Sequence, residues 1–169
     1  SGAAPTDEVV DVCGLLSAAK ESMAGQPGVA TVNVDCQSRA PLRASTAEVE
    51  SVIVNLLSNA VRCTPVDGAI TMTWASDETG GTLSCADTGI GIETADLPRL
   101  TERFFRVDSG RSRKEGGIGL GLAIVKHILE RHDAHFHIDS TPGEGSQFSC
   151  QFPTSRIAVT ESVPIAGNS

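Results

Sequence analysis

Ile70, Met72 and Trp74 alternate with Thr71 and Thr73, and this period of two limits what the chain can fold into more than any other feature. A run with every second residue apolar buries one face, so it reads as a strand in a sheet with a single covered side. The alternation returns at 31–36, 82–87, 136–140 and 147–152. Gly80-Gly81 and Pro142-Gly143-Glu144-Gly145 supply turns that would join two pairs of these runs as hairpins. A short extra strand is expected near Leu42.

Between the alternating runs the period changes to that of a helix. Val9, Val12, Cys13, Leu16, Ala19 and Met23 predict an amphipathic helix over 7–23, stopped by Gln26-Pro27-Gly28. Ser45-Thr46-Ala47-Glu48 has the form of a capping box, in which serine and glutamate each satisfy a free amide at a helix start. Val49, Val52, Ile53, Leu56, Leu57 and Ala60 follow as its buried stripe, and Pro65 with Asp67-Gly68 closes it. After Gly121, the residues Leu122, Val125, Ile128 and Leu129 mark another helix. The order helix, strand, helix, hairpin, long segment, helix, hairpin implies an α+β fold: a two-layer sandwich whose mixed sheet is covered on one face by helices.

A chain of 169 residues fits one domain. We expect a linker remnant at 1–6, the domain at 7–153 and a tail at 154–169. The direct start at Ser1-Gly2 reads as the boundary of a fragment. No apolar run is long enough to span a bilayer, so the piece is not expected to be membrane-inserted. The net charge of -8 argues against a nucleic-acid partner. Cations concentrate locally at Arg103, Arg106, Arg111, Arg113 and Lys114, where an anionic ligand would be met. Five widely spaced cysteines, with no Cys-x-x-Cys, suggest reduced thiols in a cytosolic setting.

Three stretches carry chemistry. Asn55, Asn59 and Arg62 share one helical stripe at about 100° per residue. They suit an oxygen ligand for Mg²⁺ and a phosphate contact; alternatively they form a solvated helix face. Asp87 has the parity of Leu83 and Cys85, which places a carboxylate on the core side. A purine amine could supply its donor, and Gly89 and Gly91 would let backbone pass close to a planar ring; the other reading is an Asp-Thr-Gly turn. Gly116-Gly117-Ile118-Gly119-Leu120-Gly121-Leu122 runs into a helix, and exposed amides at a helix start suit phosphate. The lid-length segment 88–119 links the last two.

Asparagine helix, Asp-x-Gly-x-Gly, Phe104-Phe105, Gly-x-Gly-x-Gly and a late Gly-Glu-Gly-Ser occur in one fixed order. Together they resemble the histidine kinase branch of the GHKL ATP-binding superfamily (HATPase_c), with N box 55–64, G1 box 87–92, F box around Phe104, G2 box 117–121 and a G3-like turn at 143–146. The segments 97–108 and 121–127 are most similar to phosphate-regulon sensor kinases.

The resemblance implies a Bergerat-type fold that binds ATP and Mg²⁺. It assigns adenine recognition to Asp87, with Gly89, Gly91, Ile92 and Cys63 lining the ring and Ser146 in support. It makes Asn59 the Mg²⁺ ligand, has Arg62 on the phosphates, and gives the triphosphate cradle to Gly117, Gly119, Leu120, Gly121 and Leu122, with Arg106 and Arg113 neutralising charge. Asn55 stands where hydrolysing relatives carry a catalytic glutamate. An amide cannot take a proton at neutral pH, so Asn55 and Arg62 would serve transfer to an external nucleophile, with slow hydrolysis. That nucleophile would be a histidine on a dimerisation domain of the same parent protein, upstream of a response regulator. His127, His132, His135 and His137 lack its context, and His135 and His137 read as the outward face of a strand. The fragment is expected to be monomeric and cytoplasmic, its parent anchored in the bacterial inner membrane. Two residues depart from the pattern: Cys63 where an aromatic commonly stacks on adenine, and Ile118 where a small residue is common. They leave a docking module without transfer activity as the alternative.

Overall fold

The computed structural model describes residues 7–24, 26–93, 95–96 and 118–158, with 118–120 described by backbone alone. Strands β2 (Thr31–Cys36), β4 (Ala69–Asp77), β5 (Gly80–Asp87), β6 (His135–Thr141) and β7 (Gly145–Phe152) form one sheet in the order β2-β4-β5-β7-β6. The β2/β4 pair is parallel and the others antiparallel. Register explains the core. One row across the sheet is Cys36, Trp74, Leu83, Cys150 and Phe136; the next is Val34, Met72, Cys85, Phe148 and Ile138. Alternation therefore places every apolar row on one face, where Trp74, Met72, Leu83, Cys85, Phe148 and Cys150 are fully buried.

Helices α1 (Val12–Met23), α2 (Thr46–Cys63) and α3 (Ile118–Arg131) cover that face with Leu16, Val49, Val52, Ile53, Leu56, Leu57, Leu122, Val125 and Leu129. The expected two-layer α+β sandwich is observed. Trp74 anchors it, donating its indole N–H to the Ala40 carbonyl at 3.0 Å and meeting Phe152 edge-on at 6.4 Å. Residues 154–158 fold back onto the domain: Ile157 bridges Leu42, and the Ala158 N–H donates to the Pro41 carbonyl at 2.9 Å.

Four local expectations are corrected. The first helix does not begin at residue 7. Glu8–Val10 is a strand, β1, paired with β3 (Leu42–Ala44), and Asp11 caps α1 through Gly14 N–H. Val9, counted toward the helical stripe, is 62% exposed.

Gly80-Gly81 is not the hairpin turn. Asp77 pairs with Gly80, so Glu78-Thr79 make the turn, with Asp77 accepting from Thr79 N–H at 2.8 Å. The glycines lie in the strand because a β-carbon at Gly80 would overlap the Phe152 carbonyl and one at Gly81 the Trp74 ring.

The capping box is half formed. Ser45 Oγ accepts Glu48 N–H at 3.2 Å, but Glu48 turns to Arg131 at 3.3 Å and the Ser45 N–H donates to His132 instead.

Cys13 and Cys36, expected as thiols, form a disulfide with Cα atoms 5.9 Å apart, tying the first turn of α1 to the end of the edge strand β2. Cys63, Cys85 and Cys150 carry thiols. Burial pushes Cys85 up to about 12 and raises Cys150 further, so both stay neutral. Closing a loop across a sequence separation of 23 stabilises by about 3 kcal/mol in the chain-entropy model. Dithiothreitol should therefore lower the urea midpoint of the native chain and leave that of Cys13→Ser unchanged; equal response from both would show that the link contributes nothing.

Candidate functional site

The third row of the sheet turns from apolar to polar partway across. Val32 and Ile70 are followed in register by Asp87, Ser146 and Ser140. The core face thus ends at a polar edge built from the ends of β5, β6 and β7. Asp87 is 8% exposed and accepts the Gly89 N–H at 2.8 Å. Its carboxyl titrates above the usual range because burial outweighs the Gly89 and Ser146 backbone hydrogen bonds. A buried carboxylate with incomplete compensation is a strong acceptor awaiting a donor. Beside it, the Ser140 and Ser146 hydroxyls lie 2.8 Å apart, and Ser140 accepts the Ile92 N–H at 2.8 Å.

The loop after Asp87 is wedged between α2 and the β6–β7 turn. The Ile90 N–H donates to the Cys63 carbonyl at 3.1 Å, and the Ile90 carbonyl accepts the Gly143 N–H at 2.7 Å. A β-carbon on Gly89 would overlap that Cys63 carbonyl; Gly91 has φ 75°, and its β-carbon would overlap the Thr141 carbonyl. The protein's own packing thus requires both glycines, whatever ligand approaches them. Ile92 is buried in the core.

On α2 the polar stripe is not a solvated face. Asn59 is 5% exposed, and its Oδ1 has no hydrogen-bond partner among the described residues; the same holds for Thr64 Oγ1. Asn55 is half-buried, with its Nδ2 held by the Ser51 carbonyl at 2.8 Å and its Oδ1 directed at Gly121. Arg62 and Cys63 are half-buried on the last turn. One helix therefore touches the Asp87 loop through Cys63 and α3 through Asn55.

The glycine-rich element is more helical than expected. α3 begins at Ile118, so Gly119, Leu120 and Gly121 form its first turn, whose amides lack intrahelical partners. Gly121 permits contact with Asn55: a β-carbon would stand 2.9 Å from Asn55 Oδ1. The Leu122 side chain is in the core, so only its backbone could serve a ligand. Arg106, Arg113, Gly117 and the Phe104-Phe105 pair lie outside the described residues. Sequence reasoning missed Ser140 and Thr64. Ser140 shares its parity with Phe136 and Ile138, which could have placed it on the inner face.

Known proteins share the fold that carries these residues. The profile of the family described as histidine kinase-, DNA gyrase B-, and HSP90-like ATPase matches residues 44–156. The phosphate regulon sensor protein PhoR of Pseudomonas aeruginosa is 50% identical over 130 residues, covering 77% of this chain and 29% of that protein. The sensor-like histidine kinase SenX3 of Mycobacterium tuberculosis is 34% identical over 148 residues, 88% of this chain and 36% of its own length. The chain thus spans well under half of these longer relatives. In structure, the mycobacterial sensor histidine kinase MprB superposes with a TM-score of 0.75 at 24% identity, covering 86% of this chain and 97% of that one. Full-length ShkA, solved in complex with AMPPNP, gives 0.78 at 23% identity, with 95% and 33% covered.

Proposed function

The chain belongs to the family of histidine kinase-, DNA gyrase B- and HSP90-like ATPases, and from that premise we propose that it binds Mg-ATP and donates the γ-phosphoryl group to a histidine on a separate dimerisation domain of its parent protein. One observation carries this reading most: the buried, under-compensated Asp87 carboxylate at the polar end of the core, one short loop from the end of α2.

In this reading Asp87 accepts from the exocyclic amine of adenine. Gly91, Ile92 and Cys63 line the ring, with Ser146 supporting Asp87 from its paired position. The first-turn amides of α3 receive the phosphates at the positive end of the helix dipole, and Arg62, with Arg106 and Arg113, offsets their charge. Asn59 fits a Mg²⁺ ligand, because its buried, unpartnered carbonyl oxygen is the hard donor such an ion takes. Held there by Asn59, the ion would supply positive charge to offset that of the phosphates. Asn55 orients and does not abstract a proton, since its amide is held by Ser51 and has no basic lone pair at neutral pH.

Isolated, the chain should therefore hydrolyse ATP at least ~100-fold more slowly than the ~10 s⁻¹ of a typical enzyme, yet label the parent's histidine domain when the two are mixed. Phosphate release at ordinary enzymatic rates without that domain would overturn the transfer reading. A response regulator downstream and a monomeric state for this piece belong to the same proposal, as does a cytoplasmic setting, which rests on the family and no longer on the cysteines, since Cys13 and Cys36 are bonded. No described helix is long and apolar enough to cross a membrane.

Cys63 supports a second reading, a nucleotide-responsive docking module without transfer. A thiol covers less of an adenine ring than an aromatic would. Calorimetric titration with a non-hydrolysable ATP analogue decides the first step, and absence of label on the histidine domain despite tight binding would select the docking reading.

A further inference from the structure

His132 is fully buried at the end of α3, and both its ring nitrogens are used. Its Nε2 accepts the Ser45 N–H at 3.2 Å across a sequence separation of 87. The ring is therefore neutral with its proton on Nδ1, which donates to the Ile128 carbonyl at 2.9 Å. Glu48, which a full capping box would send to the Ser45 amide, is engaged by Arg131 and stands 3.9 Å from Nδ1. A side chain from another helix has thus taken over half of the α2 cap.

The position of this contact matters more than its strength. Farther along, the same helices approach closely where Asn55 Oδ1 faces Gly121, at which a β-carbon would stand 2.9 Å from that oxygen. From Ser45 to Asn55 is ten residues forward along α2, and from His132 to Gly121 eleven back along α3, spans of about 15 and 16 Å at 1.5 Å per residue. The two helices therefore run antiparallel, hydrogen-bonded at one end and closely packed at the other. A slide of α3 along α2 would break the Ser45–His132 bond before it moved Gly121 clear of Asn55. An apolar side chain of equal volume would fill the same space without fixing that register.

We infer that His132 is a positioning residue that sets the axial register of α3 on α2 and thereby holds the glycine-bearing first turn of α3 where the phosphates must lie. The inference rests on the nucleotide-binding reading above and extends it to a residue that touches no nucleotide.

Its test separates register from stability. Nitrogen-detected NMR of the ligand-free chain should show the Nδ1–H tautomer for His132, with a slowly exchanging Ser45 amide that becomes labile in His132→Met and slow again in His132→Gln, whose Oε1 reaches the place of Nε2. Calorimetry should then show His132→Met weakening a non-hydrolysable ATP analogue by about tenfold or more, as a displaced cradle would, with adenosine affinity nearly unchanged and His132→Gln recovering the triphosphate. Equal loss of both ligands, no loss of either, or an Nε2–H tautomer would overturn the positioning role. If His132→Met does not fold, the tautomer and the triphosphate affinity of His132→Gln decide it. Failure of the unsubstituted chain to bind either ligand would instead remove the nucleotide reading itself, and the inference with it.

Discussion

Asp87→Asn is expected to abolish nucleotide binding while making the ligand-free chain more stable at neutral pH. Asp87 Oδ1 already accepts the Gly89 N–H, so an asparagine there must give its one oxygen to Gly89 and turn its NH₂ toward the adenine amine. The flipped amide sets NH₂ against the Gly89 N–H. Either way two donors face each other in a buried site, which should cost about 100-fold or more in affinity. Stability moves the other way. Burial raises the folded carboxyl above its unfolded value of about 3.9, so its contribution is fully present below that unfolded value and is lost as pH rises through the folded one. Asparagine does not titrate and escapes this loss, a gain expected to outweigh the weaker contact its NH₂ makes where the carboxylate accepts from Ser146. The urea midpoint of the variant should therefore exceed that of the parent chain at pH 7, and the gap should close below about pH 3.9. A variant less stable at pH 7, with binding intact, would mean that Asp87 is a structural turn residue.

The sequence made the sheet legible because period-two alternation is local and each run carries its own signal. Trp74, Met72 and Ile70 could be placed on one face before any partner strand was known. Asp87 was legible for a similar reason, as a polar residue at an inward position of a pattern otherwise apolar; Asn55 and Asn59 stood on a stripe that a solvated helix face fits as well, and the burial of Asn59 emerges only from the packing of α2. Features that depend on remote partners were not. Gly80 and Gly81 looked like a turn because the Phe152 carbonyl and Trp74 ring that exclude a side chain there come from other strands. Cys13 and Cys36 meet only because α1 packs against β2. Ser140 joins the site through Ile92, 48 residues away. Glu8–Val10 was lost in the helical count because Val9 fits the spacing by chance and three residues are too few for a strand signal.

Asn59→Leu should leave the ligand-free fold as stable as before, or more so, while removing the Mg²⁺ dependence of ATP binding. In the ligand-free chain the Asn59 carbonyl is buried with no partner among the described residues, a cost of about 1–3 kcal/mol. Leucine has nearly the same shape and no polar atom, so it relieves that cost inside a helix already lined by Leu56 and Ala60. A buried oxygen of this kind invites a partner in the working state. If that partner is Mg²⁺, the cation should strengthen triphosphate binding by the parent chain roughly 10–100-fold, the scale on which supporting groups tune metal affinity. With Asn59→Leu, titrations in Mg²⁺ and in EDTA should converge, and adenosine should bind both chains equally. A variant that keeps the full Mg²⁺ enhancement would place the ion on other ligands; one that loses adenosine as well would show that Asn59 shapes the pocket itself. Gain of stability with loss of the metal effect is the combination a purely structural asparagine cannot produce.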